Sequence, residues 1–155
     1  MDSKRIAIVI LGLPNSGKSS TFKHIVLKYG GKKLQRIKRG WQSLKKINSS
    51  ILRVYFVPAS PTETNIKLED RFKDWKELPE ILFVAEQTDG HNRQSTFDFL
   101  DKHEYKILKF ELSNQNGDGI WDRFKKNTEE EENKLNDRTR EIVSKLKEEI
   151  KTVLV

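Results

Sequence analysis

The stretch Gly12-Leu-Pro-Asn-Ser-Gly17-Lys18-Ser19 is the part of this 155-residue chain that indicates its fold most clearly. Residues 6–11, just before it, are an uninterrupted run of Ile, Ala, Val and Leu, which is typical of a strand buried on both faces of a parallel sheet. Residues 18–29, just after it, place four apolar side chains on one helical face: Phe22, Ile25, Val26 and Tyr29. The stretch is therefore predicted to be the turn from a central strand into a helix, which Gly30 and Gly31 end.

Two glycines suit this turn to binding an anion. Gly12 and Gly17 permit a tight loop whose backbone N–H groups point inward, and the positive end of the following helix points to the same place. Lys18 can then reach the β- and γ-phosphates of a nucleotide, and the Ser19 hydroxyl can bind Mg²⁺. The predicted nucleotide-binding residues are Gly12, Pro14, Asn15, Ser16, Gly17, Lys18, Ser19 and Ser20.

The pattern G-x-x-x-x-G-K-S, placed between a strand and a helix, resembles the phosphate loop of P-loop NTPases. The resemblance implies a three-layer α/β fold with Mg²⁺ and either ATP or GTP as ligands. It further implies hydrolysis of the triphosphate, with Lys18 at the phosphates and Ser19 at the metal.

Two branches of this family remain open, and the first is the Ras-like and translation-factor-type GTPases, which often carry Pro-Asn as at Pro14 and Asn15. Residues 84–90 are similar to the place of their N-K-x-D, which would put Asp89 at the guanine edge, and residues 113–120 are similar to their last guanine-side loop. Their Asp-x-x-Gly is missing, because Pro58-Ala-Ser-Pro61 stands at the end of the second predicted strand. The resemblance therefore implies a degenerate GTPase.

The second branch is the nucleotide and polynucleotide kinases, which share the loop and the sheet. They use a carboxylate after the second strand as a base, and here Glu63 is the first available carboxylate, although it also fits a helix cap. Asp89-Gly90-His-Asn-Arg93 resembles the Asp-Gly-x-Pro-Arg of adenylate kinases without the proline. Kinases also place arginines over the phosphates, and three residues could form such a lid or lie solvated on the surface: Arg123, Arg138 and Arg140.

Glu86 is the candidate second site residue in either branch. It ends a predicted buried strand, from which its carboxylate would hold the Mg²⁺ shell through water. Glu86 and Lys18 are therefore the predicted catalytic residues, and Ser19 and Glu86 the predicted metal-site residues. The structural alternative is that Glu86 simply caps its strand. A non-catalytic nucleotide-binding adaptor for nucleic acid or protein is a further alternative.

The remaining periodicity predicts an α/β fold with a mainly parallel sheet of about four or five strands. Further strands are expected at 51–57, 81–85 and 105–112, and helices over 92–103 and from 128 onward. Another helix should start at the capping box Ser60-Pro-Thr-Glu63 and bury Leu68, Phe72, Trp75 and Leu78. Residues 32–50 fit either a basic amphipathic helix broken by Gly40 or a short edge strand. Residues 1–155 are predicted to form a single nucleotide-binding domain.

Charge is divided unevenly along the chain. The net charge of +7 combines +12 over residues 1–62 with −5 over residues 63–155, since no acidic residue lies between Asp2 and Glu63. The basic segment, residues 32–46, could bind nucleic acid or an acidic protein, or its lysines and arginines could be merely solvated. Trp41 would then either stack on a base or anchor the segment to the sheet.

Composition excludes several other functions. The absence of cysteine rules out disulfides, thiolate metal sites and cysteine nucleophiles, and the three histidines are not paired at ligand spacing. The longest apolar run, residues 6–13, is too short to span a bilayer. The expectation is a cytoplasmic protein with no membrane partner.

Overall fold

The computed structural model describes residues 5–13, 16–45, 47, 51–112 and 119–153. Their strands are β1 (Arg5–Gly12), β2 (Gly40–Leu44), β3 (Leu52–Val57), β4 (Ile81–Gln87) and β5 (Tyr105–Glu111). Their helices are α1 (Lys18–Gly30), α2 (Pro61–Thr64), α3 (Leu68–Arg71), α4 (Arg93–Lys102) and α5 (Glu129–Val153).

The described strands form one mixed sheet in the order β2-β3-β4-β1-β5. Strand β1 runs parallel to both β4 and β5, and β3 runs parallel to β4. Only the β2–β3 pair is antiparallel among the described strands. The predicted α/β class with a mainly parallel sheet is therefore confirmed. In this register Leu11 pairs with Glu86 and Gly12 with Gln87, so the ends of β1 and β4 meet at one edge.

Strand β1 is buried because its alternate side chains enter two separate cores. Ile6, Ile8 and Ile10 pack with residues of α1 and α5, such as Phe22 and Ile142. Ala7, Val9 and Leu11 point to the other face, where α3 and α4 supply residues such as Leu68 and Phe99. The sheet thus lies between two layers of helices. The loop after β1 follows a strand that has a neighbouring strand on each side, β4 and β5.

The basic segment contains the edge strand rather than the amphipathic helix. Strand β2 starts at Gly40, whose φ of +148° few other residues adopt, and it pairs only with β3 among the described strands. Trp41 lies opposite Tyr55 in this pairing. Residues 32–39 have no regular secondary structure, and Lys46 and residues 48–50 lie outside the described ranges.

The prediction of one continuous helix from Ser60 to Leu78 is wrong. The Ser60 Oγ accepts a hydrogen bond from the Glu63 N–H at 2.9 Å, so the predicted cap is present. However, Asn65 adopts a left-handed conformation (φ 57°) and ends α2 after four residues. A second short helix, α3, follows, and the predicted apolar residues still contact the core that contains Ala7, Val9 and Leu11.

Helix α5 closes the fold as its sequence predicts. The Thr128 Oγ1 accepts from the Glu131 N–H at 3.2 Å at its start. The apolar residues Ile142, Val143, Leu146 and Ile150 are buried against the sheet, whereas the side chain of Val153 and all of Leu154 lie outside the description. No helix in the described ranges is both long enough and apolar enough to cross a bilayer.

Candidate functional site

A cleft of about 170 Å³ lies at the edge of the sheet where β1 and β4 end. Four segments besides the loop after β1 reach it: the end of β3, the α2 turn, the end of β4 and the segment before α5. The lining residues are Ser16, Gly17, Lys18, Ser19, Ser20, Pro58, Glu63, Gln87 and Lys126. The structure thus brings five of the predicted nucleotide-binding residues together in one cleft.

Both glycines of the 12–19 loop are required by close packing. A Cβ at Gly12 would lie 2.5 Å from Ser16 Oγ and 2.8 Å from Leu112 Cδ1. Gly17 has a left-handed φ of 93°, and its Cβ would lie 2.9 Å from the Phe124 ring. A side chain at Gly17 would be strained by the backbone conformation, and one at Gly12 would have to displace the side chains of Ser16 and Leu112. Pro14 and Asn15, predicted to line the same loop, lie outside the described residues.

The Lys18 ammonium lies across the loop. Its Nζ donates to the carbonyl oxygens of Gly12 and Leu13, both at 2.8 Å, and lies 3.5 Å from Ser16 Oγ. Burial lowers the pKa of Lys18, while the nearby carboxylates of Glu63 and Glu86 act in the opposite direction. The ammonium is therefore held where it can exchange carbonyl oxygens for the oxygens of an anion.

The start of α1 faces the same cleft. Gly17 caps this 13-residue helix without a side-chain hydrogen bond, and no acidic residue lies in its first turn. The first N–H groups of a helix have no acceptor within it, and the helix dipole makes this end positive. Ser19, next to Lys18, is exposed and lines the cleft. These features together favour an anionic ligand.

The Glu86 carboxylate lies behind the wall of the cleft, with a relative exposure of 0%. Its Oε1 accepts from the backbone N–H groups of Gln87 at 2.9 Å and Thr62 at 3.4 Å, and its Oε2 accepts from Thr96 Oγ1 at 2.8 Å. These bonds fix Gln87 and the start of α2, both at the cleft. The predicted contact of Glu86 with a hydrated metal stays a prediction, and the carboxylate that lines the cleft is Glu63.

Asp89, the predicted guanine-reading residue, lies on an exposed turn after β4. It is not one of the residues that line the cleft. The neighbouring Thr88 is tied to the loop, since its N–H donates to the Gly12 carbonyl at 3.3 Å. Residues 113–118, which hold most of the second predicted base-side loop, lie outside the described ranges.

Arg138 is neither a lid residue nor a solvated one, so both interpretations of it are wrong. Its side chain has a relative exposure of 0%, and burial lowers its pKa to about 10. Its guanidinium donates to the carbonyls of Ile120 at 2.6 Å and Asp122 at 2.5 Å. The sequence contained a signal for this burial, because Arg138 precedes Ile142 by four residues and therefore lies on the same, buried face of α5. Arg123 and Arg140 are exposed.

Metal-ligating side chains are sparse at this site. The described residues contain no group of three His, Cys, Asp or Glu that could hold a metal ion. Mg²⁺ commonly binds through one or two protein oxygens together with substrate phosphates and water, which the Ser19 hydroxyl and the Glu63 carboxylate could supply here. The donor set therefore fits a cation that arrives with a phosphate ligand.

Comparison of the chain with protein-family models, with curated proteins and with solved structures gave no match. The chemistry of the cleft is therefore the evidence that bears on function.

Proposed function

We propose that this protein is a small P-loop NTPase that binds a nucleoside triphosphate with Mg²⁺ and hydrolyses it. The observation that carries the proposal is the position of Lys18, whose Nζ is held 2.8 Å from two loop carbonyls at the start of α1, where Gly17 provides no side-chain cap. A half-buried cation beside the first N–H groups of a helix is suited to the β- and γ-phosphates of a nucleotide.

Mg²⁺ would be held by the Ser19 hydroxyl, with Glu63 on the same cleft as the second oxygen donor. When bound, the ion neutralises charge on the phosphate oxygens and so favours attack at the terminal phosphorus. Lys18 and the α1 N–H groups stabilise the same charge, which grows in the transition state.

Besides donating one carboxylate oxygen to Mg²⁺, Glu63 would orient the attacking water through its other oxygen. It is exposed, lines the cleft, and is fixed at the third position of α2 by its N–H bond to Ser60 Oγ. Glu86 would act as a positioning residue, because its carboxylate holds the backbone of Thr62 and Gln87 on either side of the cleft wall.

Product analysis with ATP and GTP tests the proposal. Release of inorganic phosphate by the wild type, and its loss in Lys18→Ala, is the expected result. Binding without phosphate release would leave the nucleotide-binding adaptor as the function. Absence of binding to either nucleotide would contradict the assignment of the cleft. The matched control is Lys28→Ala, a surface lysine near the end of the same helix.

A small kinase is the second candidate function, and the position of Glu63 favours it. This carboxylate follows β3 and lines the phosphate-facing cleft, as a base that takes the proton of an acceptor hydroxyl would. Transfer of ³²P from γ-labelled nucleotide to an added nucleotide or oligonucleotide acceptor would identify a kinase, whereas label found only in free phosphate identifies hydrolysis.

The identity of the base can be tested at Asp89. If this carboxylate accepts from the guanine N1–H and exocyclic amine, Asp89→Asn weakens GTP binding and leaves ATP binding unchanged. Equal displacement of a fluorescent nucleotide by GTP and ATP, in both wild type and variant, would exclude guanine recognition by Asp89.

The basic segment is proposed to bind a polyanion, either nucleic acid or an acidic protein. No described residue of this segment forms an ion pair with a carboxylate. Trp41 is 42% exposed but stacks on Trp75 at 6.2 Å and has the Arg53 guanidinium 4.9 Å from its ring centroid, so its packing favours anchoring. Electrostatic contacts should therefore dominate, with strong salt dependence of oligonucleotide binding as the test.

A further inference from the structure

The cleft contains a second lysine that the phosphate motif does not include. We propose that Lys126 binds the phosphate chain of the nucleotide together with Lys18, and that α5 fixes it in place through Arg138 and Lys134. This inference rests on the proposed nucleotide binding, since it assigns a further phosphate ligand to the same site.

The segment that carries Lys126, residues 119–127, lacks regular secondary structure but is held at several points. The buried Arg138 donates to the carbonyls of Ile120 and Asp122, and the Lys134 Nζ donates to the carbonyl of Arg123 at 3.1 Å. Both donors project from α5 and both are buried. Two cations of one helix thus bind three backbone carbonyls of this loop.

Phe124 then ties the segment to the phosphate-facing loop itself. The Arg138 guanidinium lies 4.9 Å from the Phe124 ring centroid, and the same ring abuts Gly17. Lys126 follows Phe124 by only two residues, a distance of about 7 Å along an extended backbone. Its Cα is therefore confined near the start of α1.

The lining of the cleft carries more positive than negative charge, and the Glu86 carboxylate behind its wall already accepts hydrogen bonds from Gln87, Thr62 and Thr96. Among its lining residues, Lys18 and Lys126 stand against a single carboxylate, Glu63. In the described part of the chain Lys126 forms no ion pair. A polyphosphate chain would meet both ammonium groups and the α1 N–H groups at once, which is the reason that this ligand class fits.

The chain offers a matched control next to the test residue. Lys125 is also an exposed lysine, but it does not line the cleft. Calorimetry with Mg-ATP and Mg-GTP near 0.15 M salt should show affinity falling about tenfold in Lys126→Gln and less than about threefold in Lys126→Arg. Lys125→Gln should lose less than about twofold, because an exposed charge outside the site is screened at this salt concentration.

Equal losses in Lys126→Gln and Lys125→Gln would overturn the inference, since they would reflect general charge, while the proposed function would stand. If the wild type binds neither nucleotide, or if Lys18→Ala binds as tightly as the wild type, the proposed function fails and this inference fails with it. Unchanged circular dichroism of the Lys126 variants would confirm that they fold.

A double-mutant cycle tests the positioning role of α5. Lys134→Met removes the bond to the Arg123 carbonyl and should weaken nucleotide binding about threefold in the wild-type background. In the Lys126→Gln background it should have no further effect, because Lys134 acts through Lys126. The same loss in both backgrounds would contradict positioning of Lys126 by this helix.

Discussion

The Arg138 guanidinium donates to Thr21 Oγ1 at 3.3 Å, across 117 residues of sequence. Thr21 Oγ1 in turn donates to the carbonyl of Gly17 at 2.7 Å. Helix α5 is therefore linked by consecutive hydrogen bonds to Gly17, the residue that caps α1. The stability of the fold and the geometry of the cleft depend on the same contacts.

Replacement of Arg138 should therefore lower the stability of the fold. Arg138→Met removes the donors to the carbonyls of Ile120 and Asp122 and to Thr21, and we expect a loss of about 2–4 kcal/mol in the free energy of unfolding. Urea denaturation measures it. Arg140→Met, an exposed arginine of the same helix, should change stability by less than about 0.5 kcal/mol. Similar values for both variants would show that the buried bonds of Arg138 contribute little.

Lys18→Ala should abolish tight triphosphate binding while the fold remains intact. A charge-assisted contact to phosphate contributes roughly 1.5–3 kcal/mol, so affinity should fall by about tenfold to a hundredfold or more. Titration calorimetry gives the affinity and thermal unfolding checks the fold. Unchanged affinity would refute the assignment of the 12–19 loop to phosphate binding.

As the pH rises, nucleotide binding should weaken at a lower pH than it would if Lys18 had the pKa of an ordinary lysine. Burial lowers the pKa of Lys18 below its usual 10.5, so the ammonium form that binds phosphate is lost at a lower pH. Affinity measured between about pH 7 and 10 should therefore decline toward the upper end. Lys18→Arg keeps its charge throughout this range and should flatten the profile. Profiles of identical shape would exclude Lys18 as the titrating group.

His24 should make the protein sensitive to mild acid. Its Nδ1 lies 2.9 Å from Thr139 Oγ1, and burial lowers its pKa below 6.5 in the folded state. Below pH 6.5, His24 binds a proton in the unfolded chain but not in the folded chain. The contribution of neutral His24 to the free energy of unfolding is therefore present above pH 6.5 and is lost as the pH falls toward the folded pKa. The loss approaches about 1.4 kcal/mol per pH unit.

Urea unfolding of the wild type and His24→Gln at pH 7.5 and 5.5 measures this effect. The wild type should lose more stability between the two conditions than the variant does, since other titrating groups are common to both. An equal loss in the two proteins would assign the acid sensitivity to those other groups.

Local sequence signals predicted much of this fold. The apolar run of residues 6–11, the glycines of the following loop and the cap at Ser60 each act within a few residues, so their patterns are visible in the sequence. The cleft residues of the 12–19 loop were predicted for the same reason. The order of the strands and the burial of Glu86 behind the cleft could not be predicted in this way, because they depend on which distant segments of the chain contact each other.

Two errors have particular physical causes. The expected helix after Ser60 overlooked Asn65, a residue type that tolerates the left-handed conformation and so can end a helix after one turn. Arg138 was assigned to the surface because arginine is seldom buried, although backbone carbonyls and aromatic rings satisfy it here. Lys126 carries no sequence signal, since only the loop path brings it to the cleft.

The sheet order also has a consequence for synthesis on the ribosome. Strand β1 leaves the tunnel first, yet its hydrogen-bonded neighbours in the described sheet are β4 and β5, which begin only at Ile81 and Tyr105. The nascent chain must therefore carry β1 as an apolar, unpaired segment until β4 and β5 have emerged. Such a strand is a template for aggregation, so translation speed and chaperone access should affect the yield of this protein.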